Sequence, residues 1–130
     1  KPKQFTAAQC TWWAGFLRYN LWVMNIQELT QAMHDLVSAH GWYAPGTSKP
    51  QLPRNLAISL SLEAAEVLEH FQWTDTARDD QALGAELADV ALYLLQLASV
   101  CGIDLEAAIL DKIKLNYTRV WPDESGQEAQ

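Results

Sequence analysis

Basic residues are scarce in this chain of 130 residues, which has nine Lys and Arg against sixteen Asp and Glu and a formal net charge of −7 at pH 7. This balance argues against a nucleic-acid polymer or an anionic membrane surface as the main partner, because both attract positive charge. If the protein handles phosphate groups, the composition favours metal ions and a few placed cations over a broad basic surface.

Cysteines and long apolar runs are also few. Cys10 and Cys101 have no metal-binding spacing, which indicates two reduced thiols in a cytosolic protein. The longest apolar stretch, residues 90–100, is interrupted by two polar residues and is too short to cross a bilayer. Residues 1–20 show neither an apolar block nor a cleavage site of a signal peptide. We therefore expect a cytoplasmic protein without a membrane partner.

The alternation typical of β-strands is missing, whereas helix signals recur along the chain. Asn25 and Glu28 form a capping-box pattern, and Gly41 stops the apolar stripe that follows. Gly102 marks the end of the third predicted helix, Asp104 is a second N-cap candidate, and Pro122 lies just beyond the end of the last helix. The patterns predict helices at about residues 25–40, 54–73, 80–101 and 104–121. The predicted class is all-α, with a four-helix bundle-like core.

These boundaries divide the chain into three parts. Residues 1–24 form an N-terminal extension whose role the sequence does not define, residues 25–122 the helical domain, and residues 123–130 a polar tail. The third predicted helix is apolar nearly all round after Asp89, as expected of a helix that is covered on several sides. In so short a chain a second subunit must supply part of that cover, which predicts a homodimer or a homotetramer.

Two acidic pairs at helical spacing carry most of the chemical information. Glu63 and Glu66 lie on the second predicted helix, and Glu86 and Asp89 lie on the third. Residues three apart share one helix face, so each pair projects two carboxylates in the same direction. Neither stretch, residues 55–77 or 79–111, contains a Lys or Arg to neutralise them.

An antiparallel hairpin of these two helices would bring the acidic pairs face to face. Hard divalent cations take oxygen ligands, and such an ion would compensate carboxylates among apolar neighbours. The alternative is a solvated acidic face, although solvated faces usually interleave Lys with Glu. A di-iron site is disfavoured, because His70 has the wrong spacing from Glu66 and the third helix has no His.

Other candidate residues extend these helix faces. Trp73 and Tyr93 fall on the stripes of the acidic pairs and are either core residues or a platform for a ligand. Lys112, Asn116 and Arg119 share one face of the fourth helix, which suits either an anionic phosphate chain or an ordinary surface.

The motifs also occur in a recognisable order in three segments. They are PRNLAISLSLEAAEVLEHFQW (residues 53–73), AELADVALYLLQLA (85–98) and DLEAAILDKIKLNYTRVWP (104–122). Together they resemble the MazG-like all-α nucleotide pyrophosphohydrolases, particularly the dCTP-pyrophosphatase-like branch.

The resemblance implies a role for each candidate. Glu63, Glu66, Glu86 and Asp89 would be the catalytic carboxylates and would hold Mg²⁺, for which Mn²⁺ could substitute. The other implied contacts are Trp73 stacking near the base; Tyr93, Lys112 and Asn116 at phosphate or sugar; Arg119 at the phosphate end; and Trp42 and His34 in the base pocket.

The implied reaction is hydrolysis of a nucleoside or deoxynucleoside triphosphate, such as dCTP, to the monophosphate and pyrophosphate, as a house-cleaning step on the nucleotide pool. Two alternatives stay open: a phosphoribosyl-ATP pyrophosphohydrolase, and a non-catalytic helical oligomerisation or regulatory module. No Ser/His or Cys/His nucleophile pattern is evident, which favours direct attack by water.

Overall fold

The computed structural model describes residues 24–77 and 79–119, and this part contains four α-helices and no β-strand. The helices are α1 (Ile26–Ala39), α2 (Pro53–Glu69), α3 (Asp80–Val100) and α4 (Leu105–Thr118). The predicted all-α class is confirmed. The polar tail, and the predicted N-terminal extension except Met24, lie outside the described residues.

Local sequence signals explain where most helices begin. At the start of α1, the Asn25 side chain accepts a hydrogen bond from the Glu28 backbone N–H, and the Glu28 carboxylate accepts one from the Asn25 backbone N–H, both at 2.9 Å. Asp79 and Asp104 likewise accept backbone N–H groups in the first turns of α3 and α4. These caps satisfy donors that have no partner inside the helix.

Two glycines end helices as the sequence predicts. Gly41 follows α1 with φ 69°, and Gly102 follows α3 with φ 68°, a left-handed conformation that is strained for residues with a Cβ. After each glycine, the next backbone N–H bonds to the carbonyl five residues back, at 3.2 Å after α1 and 2.9 Å after α3. This is the Schellman arrangement, and it turns the chain sharply at both points.

The C-terminal end of α2 differs from the prediction. The helix ends at Glu69 instead of about Trp73, because the His70 and Phe71 backbone N–H groups bond to carbonyls three residues back and tighten the last turn. Trp73 is therefore in the connection to α3 and not on the helical stripe of Glu66. Trp73 is 76% exposed, so it is not a core residue of this chain.

Helix α3 is the centre of the fold, and most contacts between helices join it to α2. It also packs against α1 and, less extensively, against α4. Four apolar side chains are buried in the described part of the chain: Met33, Val37, Leu56 and Ala98. They form a small core between α1, α2 and α3.

By length and composition alone, α3 is also the one helix in the described residues that could cross a membrane. A single such helix is weak evidence, because the central helix of a bundle passes the same test. Glu86 and Asp89 lie within it, and an acidic side chain inside a bilayer costs about 2.5–3.5 kcal/mol. The structure gives α3 a different role, as the helix against which the other three pack.

Candidate metal centre and ligand groove

Carboxylates from α2 and α3 meet where the two helices pack together. One oxygen from each of Glu63, Glu86 and Asp89 lies within 4.8 Å of the other two. Glu63 is near the end of α2 and Glu86 is near the start of α3, as an antiparallel hairpin requires. The structure thus brings together three of the four acids that the sequence pairs.

Glu66 lies outside this set of three oxygens, one turn further along α2, where it is exposed. Its charge still acts on the cluster. The pKa of Glu63 is raised, first by partial burial and then by the negative charges of Glu66, Asp89 and Glu86. The four carboxylates therefore form one electrostatic unit, and no cation of residues 24–77 or 79–119 is among the charges that shift the pKa of Glu63.

This cluster fits a hard divalent cation. Carboxylate oxygens are the ligands that Mg²⁺ and Mn²⁺ prefer, and oxygens on opposite sides of Mg²⁺ are about 4.2 Å apart. The three oxygens, within 4.8 Å of one another, would converge by rotation of the side chains to share one such ion. The negative charges of Glu66, Asp89 and Glu86, which add to the effect of burial in raising the pKa of Glu63, would also favour a bound cation.

The raised pKa of Glu63 predicts how stability depends on pH without divalent ions. The folded state holds this proton more tightly than the unfolded state does, so the proton stabilises the fold at low pH. That stabilisation is lost as the pH rises above the ordinary Glu value and through the raised pKa of Glu63. Thermal melting in chelator should show this fall, and Glu63→Gln should flatten it. An identical pH profile for the variant and the wild type would contradict the assignment.

A groove of about 530 Å³ begins at Asp89 and runs between α1, α2, α3 and the loop of residues 40–52. Trp42 and Tyr93 contribute aromatic rings to its wall, and Met33 and Leu56 contribute apolar surface. Its polar lining comes from Ser48, Lys49, Gln51, Asn55, Ser59 and Gln96. A mostly apolar cleft with a few polar groups, next to a cluster of carboxylates, is typical of a small-molecule site.

Trp42 is held firmly in this wall. Its ring stacks on His40 with centroids 4.7 Å apart, and the Lys49 ammonium lies 4.9 Å from the Trp42 ring centroid. Such cation–π contacts contribute about 0.5–1 kcal/mol at exposed positions. Lys49 also brings a positive charge to a groove that starts at carboxylates, which the sequence analysis did not anticipate.

His34 lies beside the groove and not in its lining. Its Nδ1 is 2.6 Å from the Tyr43 hydroxyl, and its Nε2 is 2.7 Å from the Ser99 hydroxyl. Burial raises the pKa of Tyr43, although its hydrogen bond with Gln96 opposes this, so the phenol stays protonated and can donate to His34. Both nitrogens of His34 are thus engaged, and a direct contact between His34 and a substrate stays a prediction.

The remaining predicted residues are spread more widely. Tyr93 lines the groove one turn beyond Asp89. Lys112, Asn116 and Arg119 are exposed on or just after α4, and none of them lines this groove. Their contacts with phosphate stay predictions.

Several groove residues were missed by the sequence analysis. Gln96 interrupts an apolar run on α3 and is the one buried polar residue in the described chain, with 3% of its surface exposed. Gln51 and Lys49 belong to a Pro-rich loop, whose position depends on packing against α3. A polar residue on the buried side of an apolar helix was the available signal for Gln96.

Comparison with known proteins places these features in a family. A model of the MazG-like family matches residues 58–130. Human dCTP pyrophosphatase 1 is 37% identical over 98 residues, which cover 67% of this chain and 58% of the human protein. A dATP/dGTP diphosphohydrolase of Salmonella phage PMBT28 is 47% identical over 36 residues, which cover 28% of this chain and 12% of the phage protein.

A solved structure is also similar to this chain. The crystal structure of a pyrophosphatase from Archaeoglobus fulgidus superimposes with a TM-score of 0.61 and 33% sequence identity, over 72% of this chain and 90% of that one. The chain spans 58% of the length of the human relative. The family model covers more than half of the chain, including the end of α2 and all of α3 and α4. This chain is a member of the MazG-like family.

Proposed function

We propose that this chain hydrolyses deoxynucleoside triphosphates to the monophosphate and pyrophosphate in a reaction that depends on Mg²⁺. The observation that carries the proposal is the cluster of Glu63, Glu86 and Asp89, of which Asp89 also lines a groove with aromatic walls. A triphosphate needs a cation at its charged end and a partly apolar surface at its base, and this site offers both at adjacent positions. The names of the human and phage relatives support this substrate class.

Each element of the site has a role in this mechanism. Glu63, Glu86 and Asp89 would hold the ion, with Glu66 adding negative charge at its side. Bound there, Mg²⁺ would neutralise the triphosphate and favour attack by water at neutral pH. Any of the four carboxylates that stays free of the ion could orient that water or accept its proton.

The groove would position the other half of the nucleotide. Trp42 and Tyr93 would border the base or sugar, and Lys49 would add a positive charge to the same wall. Lys112, Asn116 and Arg119 would reach phosphate from a neighbouring subunit in a homodimer or homotetramer. This arrangement would place the reacting phosphate at the cluster and direct the base away from it.

A panel of substrates tests the proposal. Deoxynucleoside triphosphates, ribonucleoside triphosphates and phosphoribosyl-ATP would each be incubated with the protein and Mg²⁺, and pyrophosphate release would be measured. We expect release from deoxynucleoside triphosphates, with dCTP among the best substrates. Preference for phosphoribosyl-ATP would support the alternative enzyme, and no release from any compound would support a non-catalytic module.

Trp73 does not line the groove of its own chain, so it would stack on the base only in a site completed by a second subunit, and there it should govern how well the base is held. Trp73 is 76% exposed in this chain, so a Trp73→Ala variant should melt at nearly the wild-type temperature. Stacking of a base on an aromatic ring contributes roughly 1–3 kcal/mol, which corresponds to a ten- to hundredfold loss of nucleotide affinity. Michaelis constants for dCTP and dATP, compared with Mg²⁺ affinity measured without nucleotide, check this prediction. A large fall in melting temperature with unchanged Michaelis constants would instead assign Trp73 a packing role.

A further inference from the structure

Gln96 combines burial with a position in the groove. Only 3% of its surface is exposed, and it lines the same groove as Asp89. Buried amides almost always have hydrogen-bond partners, because an unpaired polar group loses its bonds to water without replacement. The partners of Gln96 therefore show which of its two polar atoms remains available to a ligand.

Both hydrogens of the Gln96 amide nitrogen are already used. Nε2 donates to Gln51 Oε1 at 2.9 Å and to the Tyr43 hydroxyl oxygen at 3.1 Å. The orientation of Gln51 is fixed in turn, because its own Nε2 donates to the Lys49 carbonyl at 2.7 Å. Gln51 can present only its oxygen to Gln96, so the group of Gln96 that faces it must be the NH₂.

The carbonyl oxygen of Gln96 is the atom left over. Within residues 24–77 and 79–119 this oxygen accepts no hydrogen bond. Every fully buried side-chain oxygen and nitrogen in that part of the chain has a hydrogen-bond partner, so this oxygen is not fully buried. The oxygen must therefore keep contact with open space, and the groove is the open space that Gln96 lines. The hydrogen bonds to Gln51 and Tyr43 hold it in place as a fixed acceptor.

The position of this acceptor along α3 suits the far end of a nucleotide. Gln96 is seven residues after Asp89 on one continuous helix, a rise of about 10.5 Å along the same face. This is comparable to the span from the α-phosphate to the outer edge of the base in an extended nucleotide. Tyr93 lies between the two positions and also lines the groove.

We propose that the Gln96 carbonyl accepts a hydrogen bond from the exocyclic amino group of the base, N4 of cytosine or N6 of adenine. Uracil and thymine carry a carbonyl oxygen at the equivalent position, which would place two acceptors against each other. Gln96 would thus select bases that carry an amino group. The proposal rests on nucleotide binding as set out under the proposed function, but not on hydrolysis.

Equilibrium binding of α,β-imido triphosphates tests this without turnover, because the bond to be cleaved is replaced. The first ligand pair is the dCTP analogue and its counterpart with hydrogen at position 4 of the pyrimidine. The second pair is the dATP analogue and its counterpart with hydrogen at position 6 of the purine. Wild type should bind the amino member of at least one pair about tenfold more tightly, the value of one neutral hydrogen bond of about 1.4 kcal/mol.

Gln96→Met should abolish that preference while keeping nearly the same side-chain volume. Gln51→Met is the matched control, because it removes the same hydrogen bond between Gln51 and Gln96 but leaves the Gln96 carbonyl oxygen and the bond from Gln96 to Tyr43, so it should weaken the preference less than Gln96→Met does. A general structural defect in either variant would weaken both members of a pair equally. The pair in which the preference appears identifies the base as pyrimidine or purine.

The outcomes separate this proposal from the proposed function. A preference present in wild type and absent in Gln96→Met supports the role of Gln96, even if pyrophosphate is never released from a cleavable substrate. If Gln96→Met still prefers the amino member of a pair, the proposed role of Gln96 is overturned. Equal binding of both members of both pairs by wild type would overturn it as well. In those cases hydrolysis of dCTP could still proceed, and the proposed function would stand without this specificity residue.

Discussion

Asp89→Asn should lower kcat/KM for hydrolysis of dCTP by more than about a hundredfold, and Glu66→Gln should do the same. Mutation of a residue that only hydrogen-bonds to a metal ligand already lowers metal affinity or activity by roughly 10–100-fold. Asp89 contributes to the set of three oxygens and lines the groove, so Asp89→Asn removes a charge at the point where metal and substrate would meet. Glu66 belongs to the same electrostatic unit through its effect on Glu63.

Glu69→Gln is the matched control, since it makes the same change of charge on the same helix, at the last residue of α2 and outside the set of three oxygens. It should keep wild-type turnover. Without Mg²⁺, the Asp89 and Glu66 variants should melt at higher temperatures than wild type, because repulsion within the cluster is relieved. Near-wild-type turnover of either variant at saturating Mg²⁺ would show that the metal site is misassigned.

We predict that this chain forms a homodimer or homotetramer at micromolar concentration. The described chain buries four apolar side chains, whereas many large ones stay exposed. On α4, Ile113 is 46% exposed and Leu115 is 57% exposed, and α4 contacts α3 only slightly. Fully burying a side chain of this size stabilises a structure by about 1.5–3 kcal/mol. An interface over α3 and α4 would supply the cover that one chain lacks.

Ile113→Glu should therefore dissociate the oligomer and lower its melting temperature. Lys114→Glu is the neighbouring control, because Lys114 is 75% exposed and makes only an exposed ion pair with Asp111. Such pairs contribute about 0–1 kcal/mol, so this variant should stay assembled. Light scattering measures both, and a stable wild-type monomer at micromolar concentration would contradict the prediction.

Features that depend on a few neighbouring residues could be predicted from the sequence. Asn25 with Glu28 begins α1, and Gly41 and Gly102 end helices, because caps and left-handed turns are local interactions. The meeting of the acidic pairs was also predictable, since a short connection between two helices leaves few ways to pack them.

Features that depend on packing could not be predicted in this way. The end of α2 at Glu69 was missed, because no glycine or proline marks it and its last turn is closed by backbone hydrogen bonds. The bonds that join Gln51, Tyr43 and Gln96 link a loop to a helix about fifty residues later. No spacing in the sequence encodes that contact, so the polar wall of the groove emerged only from the fold.

The central claim is that the acidic cluster uses a divalent ion to cleave a nucleoside triphosphate between its α- and β-phosphates. Its most direct test is to incubate the protein with dCTP over a range of Mg²⁺ concentrations and in chelator, and to quantify all products. We expect dCMP and pyrophosphate in equal amounts, a rate that rises with Mg²⁺, and no reaction in chelator. Release of orthophosphate in place of pyrophosphate, or an unchanged rate in chelator, would contradict the claim.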